Sequence, residues 1–124
     1  MKFHHVCIWA FDYKKAIDFY VHKLGLTIHR ETFSEKHQAK KVELYADDAY
    51  VIELFVSKDV FDCPQQKSVG IEHISFLVEN VEEKLKFLKE RGVSVIDAKE
   101  DALTGKLYGF CFDPDGTKIE FCNM

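Results

Sequence analysis

The chain is written twice, and that repetition restricts its fold more than any other feature. His5 matches His73, Asp12 matches Asn80, Phe19 matches Phe87, Gly25 matches Gly92 and Glu53 matches Glu120, at an offset of 68 residues that becomes 67 after the helix. An offset held through strand, cap, helix and helix end marks an internal duplication, so each half must be one supersecondary unit. In the first half "FHHVCIWAF" alternates as a strand does, and Asp12 then caps a helix with Ala16, Phe19, Tyr20 and Leu24 on one side, ended by Gly25. In the second, "EHISFLVE" alternates, Asn80 caps a helix with Glu83 placed for a capping box, Val81, Leu85 and Leu88 form its stripe, and Gly92 ends it.

Three further strand-like runs follow each helix. The first half places them at about 27–33, 41–46 and 50–55, with a hairpin turn at Asp47 and Asp48. The second places them at about 94–99, 106–112 and 117–122, the last two joined by the turn "DPDG". Each half therefore reads as a βαβββ module, and the whole as an α+β domain over 1–124 with an open curved sheet. Module 1 covers about 1–62, a linker with Pro64 about 63–69, and module 2 about 70–124.

Two carboxylates are out of place. Glu53 lies within "YVIELF" and Glu120 within "KIEFC", and an ionised acid in an apolar run is costly unless it is paired, hydrogen-bonded or bound to a cation. Because side chains alternate along a strand, His5 shares a face with Cys7 and Trp9, and His73 with Ser75 and Leu77. Glu53 and Glu120 leave the apolar face of their own strands, so all four residues are expected in the concavity of the sheet. His5, Glu53, His73 and Glu120 form an N2O2 set suited to Ni²⁺, Co²⁺, Zn²⁺, Mn²⁺ or Fe²⁺. Four protein ligands on an octahedral ion leave two positions for neighbouring substrate oxygens. A single histidine at a strand end is more often structural, but accident does not repeat a His-to-Glu spacing of 48 residues as 47.

The remaining candidates are subordinate. His4 is expected on the face opposite His5, and His22, His29 and His37 at the surface. Trp9 and Cys7 are placed as substrate walls or core, Cys122 as lining or core, and Lys106 and Tyr108 as contacts to a substrate tail. The net charge of −4 is interspersed, which excludes a phosphate-tracking basic patch and makes nucleic acid and membrane surfaces poor partners. No apolar run approaches a membrane span and the N-terminus enters strand sequence directly, so a cytoplasmic location is expected. Cys7, Cys63, Cys111 and Cys122 form no C-x-x-C pair, which argues against a thiolate zinc site and a disulfide framework.

"HHVCIWAFDYKKAIDFYVHKLGL", "YVIELF", "GIEHISFLVEN" and "FDPDGTKIEF" together resemble, end to end, the vicinal oxygen chelate superfamily and its short glyoxalase I members. That resemblance implies an open barrel of two βαβββ modules around a divalent metal held by His5, Glu53, His73 and Glu120, in a homodimer whose sites lie at the subunit interface. It implies conversion of the methylglyoxal hemithioacetal into a 2-hydroxyacyl thioester through a metal-bound enediolate, with Glu120 as base, Glu53 able to share that role, and nickel as the first metal. Trp9 stands where the glutathione-using enzymes carry Arg, and Ser57 where they place Asn; the segment "DALTGKLYGF" is nearer to a different glyoxalase-like branch. Among relatives, methylmalonyl-CoA epimerases usually have Gln for the first acid, while extradiol dioxygenases and fosfomycin thiol transferases use three protein ligands. Antibiotic-binding members sequester a small molecule without the quartet.

Overall fold

The structure, a computed structural model, describes residues 1–60 and 70–124, so Cys63 and the expected linker with Pro64 lie outside the described residues. The chain divides into two compact units, Met1–Asp62 and Cys63–Met124.

The first unit runs β1 (Val6–Ala10), α1 (Tyr13–Ile17), a π-helix (Asp18–Lys23), β2 (Thr27–Ser34), β3 (Ala39–Ala46) and β4 (Ala49–Val56). Its sheet has the order β1-β4-β3-β2, with β1 parallel to β4 and the other pairs antiparallel. The second runs β5 (Ile74–Val78), α2 (Val81–Glu90), β6 (Val95–Glu100), β7 (Leu107–Phe112) and β8 (Lys118–Asn123), in the order β5-β8-β7-β6 with the same pairing senses. Both units are the expected βαβββ module, and neither sheet closes into a barrel.

Side-chain alternation decides what each sheet buries. Ile52 and Leu54 are fully buried with Val42 and Leu44, and Glu53 between them faces the other way. Ile119 and Phe121 do the same around Glu120, beside the buried Cys111. Each such aliphatic or aromatic side chain contributes about 1.5–3 kcal/mol on burial. That face lies under the helix in the second unit, where Val81, Leu85 and Leu88 are buried.

Both N-caps form as the sequence requires: Asp12 Oδ1 accepts from Lys15 N at 2.9 Å and Asn80 Oδ1 from Glu83 N at 3.0 Å. Gly92, at φ 79°, ends α2, with Val93 N donating to Leu88 O at 3.1 Å across the left-handed turn.

The first helix departs from expectation. After one turn of α-helix it continues as a π-helix, with Leu24 N donating to Phe19 O five residues back at 2.7 Å. The wider turn puts Phe19, Tyr20 and Leu24 together in the core. Phe87, which matches Phe19 in sequence, lies on a regular α-helix and is 37% exposed.

Gly109 marks a close approach in the second unit. A Cβ there would stand 2.5 Å from Leu85 Cδ1, 3.1 Å from the Ile96 carbonyl oxygen and 3.4 Å from Ala98 Cα. Gly109→Ala is therefore expected to cost about 1–3 kcal/mol, because Leu85 must leave its rotamer and the Ile96 carbonyl on β6 has no such freedom. Urea unfolding checks this; an unchanged midpoint would mean that Leu85 turns aside and β6 shifts without cost.

Candidate metal centre

His5 and His73 each sit one residue before their strand, at the start of β1 and β5. Glu53 and Glu120 lie on the neighbouring parallel strands, where β1–β4 pairing sets Cys7 opposite Glu53 and β5–β8 pairing sets Ser75 opposite Glu120. In the first unit His5 Nε2 stands 3.7 Å from Glu53 Oε2; in the second His73 Nε2 stands 3.3 Å from Glu120 Oε2. All four side chains are partly exposed, with the two carboxylates at 18% and 16%. The duplication is thus kept at the level of atoms: the same nitrogen meets the same oxygen.

The surroundings of the two pairs have diverged. Glu53 Oε2 also receives Lys41 Nζ at 3.0 Å and the Tyr50 hydroxyl at 3.0 Å. Lys41 reaches Glu43 as well, at 3.7 Å, and Glu43 pairs with Arg30 Nη2 at 2.7 Å and Nε at 3.2 Å. Burial raises the Glu53 pKa, but the Lys41 and Tyr50 hydrogen bonds, with the charges of Lys41 and His5, outweigh it and hold the carboxyl below its ordinary range. Burial and the bond to Glu53 push the Tyr50 phenol well up, so it acts as a donor. The corresponding positions around Glu120 carry Tyr108 and Phe110, which pair in register with Cys122 and Glu120. Glu53 bonds a lysine and a phenol directly; Glu120 meets His73 and the Cys122 thiol, beside aromatic rings.

Glu43 lends itself to a pH test. The Arg30 hydrogen bond depresses its folded pKa, so the stability it contributes is present above the carboxylate range and lost as pH falls through the folded value. Arg30→Met should destabilise the protein at pH 7, with the difference from wild type closing as pH falls beneath the ordinary carboxylate range, a comparison that urea midpoints across pH make directly.

The other expected residues fall as follows. Trp9 is 41% exposed rather than core, stacked on Phe55 at 5.1 Å between ring centroids, with His37 edge-on to both at 5.7 and 4.8 Å. Cys7 is exposed and Cys122 half-buried; burial raises both thiols, as do the nearby charges of Glu53 and Glu120 respectively, which keeps them protonated and unsuited as thiolate ligands. Buried Cys111 is pushed up to about 12 by burial. Lys106 is exposed and precedes β7 rather than lying on it, while Tyr108 is half-buried on the face of Glu120.

His4 does not take the opposite side from His5, because both precede the strand and alternation has not begun. Its Nδ1 lies 2.7 Å from His5 Nδ1, and its ring meets Tyr50 edge-on. His22 and His29 are exposed, His29 stacking on Tyr45.

Lys41, Tyr50, Phe55 and Glu72 are contributors that sequence reasoning missed. Only Lys41 carried a signal, as the cation on a strand expected to pair with that of Glu53. Among the described residues no group of three or more His, Cys, Asp or Glu side chains gathers to hold a metal, so each pair supplies two donors and no more.

Residues 2–121 match the family model of the Glyoxalase/Bleomycin resistance protein/Dioxygenase superfamily. The chain belongs to that superfamily. The chain is 36% identical over 118 residues to the uncharacterized protein YwkD of Bacillus subtilis (strain 168), covering 94% of this chain and 92% of that one. It superimposes on the glyoxalase family protein from Enterococcus faecalis with a TM-score of 0.86 and 33% identity, over 98% and 96% of the two chains. A trypanothione-dependent glyoxalase I from Leishmania major is similar at a TM-score of 0.78 and 25% identity, over 99% of this chain and 86% of that one. No helix among the described residues is long and apolar enough to cross a membrane.

Proposed function

We propose that the chain is a divalent-metal lyase of the glyoxalase I type, which converts the hemithioacetal of a 2-oxoaldehyde, methylglyoxal first, into a 2-hydroxyacyl thioester. The observation that carries this reading is the duplicated approach of His Nε2 to Glu Oε2, at 3.7 and 3.3 Å. Two ligand bonds of about 2.1 Å place their donor atoms about 3.0 Å apart at a right angle and about 3.4 Å at a tetrahedral one, so both pairs fit chelation with small adjustment. The four donors, joined within one chain or across a homodimer, would hold one cation, with Ni²⁺ first and Co²⁺, Zn²⁺, Mn²⁺ or Fe²⁺ as competitors. When bound, that ion supplies Lewis-acid polarisation of two neighbouring substrate oxygens.

The chain's own groups carry out the proton chemistry. Glu120 takes the proton from the carbon bearing sulfur and hydroxyl and returns it to the adjacent former carbonyl carbon. One C–H bond breaks and one forms, the hydroxyl proton passes from the oxygen beside sulfur to the former carbonyl oxygen, and no outside oxidant or reductant is needed. Glu53, fastened by Lys41 and Tyr50, serves as a fixed ligand. Trp9, Phe55 and His37 offer an aromatic wall for the thiol carrier, with Tyr108 and Lys106 as further contacts on the Glu120 side.

One observation favours a second reading. Lys41 already pairs with Glu53 without a cation, which fits a protein that binds a small molecule and holds no metal. Metal analysis after nickel, cobalt or zinc reconstitution, followed by thioester formation from methylglyoxal with glutathione and other small thiols, separates the two. Bound metal with turnover supports the lyase; tight exclusion of all three ions supports sequestration.

A further inference from the structure

The two histidines share a feature that the ligand pairs do not require. In the second unit His73 Nδ1 lies 2.5 Å from Glu72 Oε2, while Glu72 Oε1 is held by Lys118 Nζ at 2.7 Å. In the first unit the residue before His5 plays the same part, His4 Nδ1 meeting His5 Nδ1 at 2.7 Å. His4 and Glu72 are 68 residues apart, the offset of the histidines themselves. In both units the preceding residue engages Nδ1, and Nε2 is left facing the carboxylate.

We infer that Glu72 is a positioning residue for the metal centre: it accepts a hydrogen bond from His73 Nδ1–H, fixes the tautomer with a free Nε2 lone pair, and aims that lone pair at the ion shared with Glu120. The inference rests on the metal reading above. An imidazole can donate from one nitrogen only when neutral, so a carboxylate at Nδ1 places the proton there and raises the donor strength of Nε2. Lys118 comes from β8, two residues from Glu120, and braces Glu72 from the strand that carries the acid. At position 4 an imidazole stands where the second unit has a carboxylate fixed by a lysine, so the second unit has the more strongly oriented ligand.

The test uses nickel alone as probe. Isothermal titration of metal-free protein with Ni²⁺ should give a Kd weakened about 10–100-fold in Glu72→Ala, with Glu72→Gln, whose amide oxygen can still accept a hydrogen bond from Nδ1–H, much nearer wild type. Long-range ¹H–¹⁵N spectra of metal-free protein at pH 8 should show neutral His73 protonated at Nδ1, moving toward the Nε2-protonated form in Glu72→Ala. Glu72 is exposed, and unchanged circular dichroism confirms that the variants fold. The inference is overturned by an Nε2-protonated His73 in wild type, or by wild-type nickel affinity in Glu72→Ala. If wild type binds no nickel, the metal reading fails and the tautomer spectrum alone decides the role of Glu72.

Discussion

Glu120→Gln is expected to lower kcat of the nickel-loaded protein on a methylglyoxal hemithioacetal by about 10²–10⁴-fold, the usual contribution of a positioned general base. The choice of Glu120 over Glu53 follows from what restrains each. A carrier must reach two adjacent carbons in succession, which requires a carboxylate free to swing. Glu53 Oε2 is held by the Lys41 ammonium and the Tyr50 hydroxyl, both at 3.0 Å, as well as lying near His5, whereas Glu120 Oε2 meets His73 at 3.3 Å and the carboxylate's further partner is the weakly bonding Cys122 thiol, with aromatic Phe110 across from it. Glu53→Gln should therefore act mainly through weaker metal binding, with excess nickel restoring much of its rate. Excess nickel should not restore Glu120→Gln. Steady-state kinetics at two nickel concentrations makes the comparison, and equal rescue of both variants would remove the asymmetry on which the assignment stands.

Phe121→Ala should cost about 3–5 kcal/mol of folding stability, which corresponds to a fall in Tm on the order of 10–20 °C. Phe121 is 1% exposed and lies on β8 next to Glu120, so its ring anchors the strand that presents the acid. Removing the ring leaves a cavity between the sheet and α2. Ile119→Val, at a fully buried neighbour on the same face, should cost only about 0.5–1.5 kcal/mol, since a single methylene is lost. Urea unfolding of both variants gives the ratio; equal costs would mean that the core collapses around the missing ring.

The duplicated fold was legible because its signals are local and periodic. Caps at Asp12 and Asn80, alternation around Glu53 and Glu120, and the "DPDG" turn each act within a few residues. What the pattern could not reveal depends on register or on backbone outside the strands. Lys41 lies 12 residues from Glu53 and reaches it only through the β3–β4 pairing, which carries an irregularity at Leu44 and Tyr45. The same irregularity brings Tyr45 and Tyr50 into a stack at 5.3 Å and Tyr50 onto Glu53.

His4 and Glu72 were misjudged or missed for one reason. Alternation assigns neighbours to opposite faces, but both precede their strands, where the rule does not apply. The π-helix was hidden as well. Phe19 and Leu24 are apolar at a spacing that an α-helix and a π-helix both tolerate, and packing selects the wider turn. The sequence pointed to His5 with Glu53 and His73 with Glu120, which lie together as pairs, and not to the residues that orient them.

X-ray absorption of the nickel-loaded protein tests the central claim most directly, because it reports the atoms around the ion. The account predicts one nickel per chain, six-coordinate, with nitrogen and oxygen neighbours at about 2.1 Å and the multiple-scattering signature of two imidazoles. A single imidazole, sulfur scattering from Cys7 or Cys122, or an unchanged spectrum in Glu53→Ala and Glu120→Ala would contradict it.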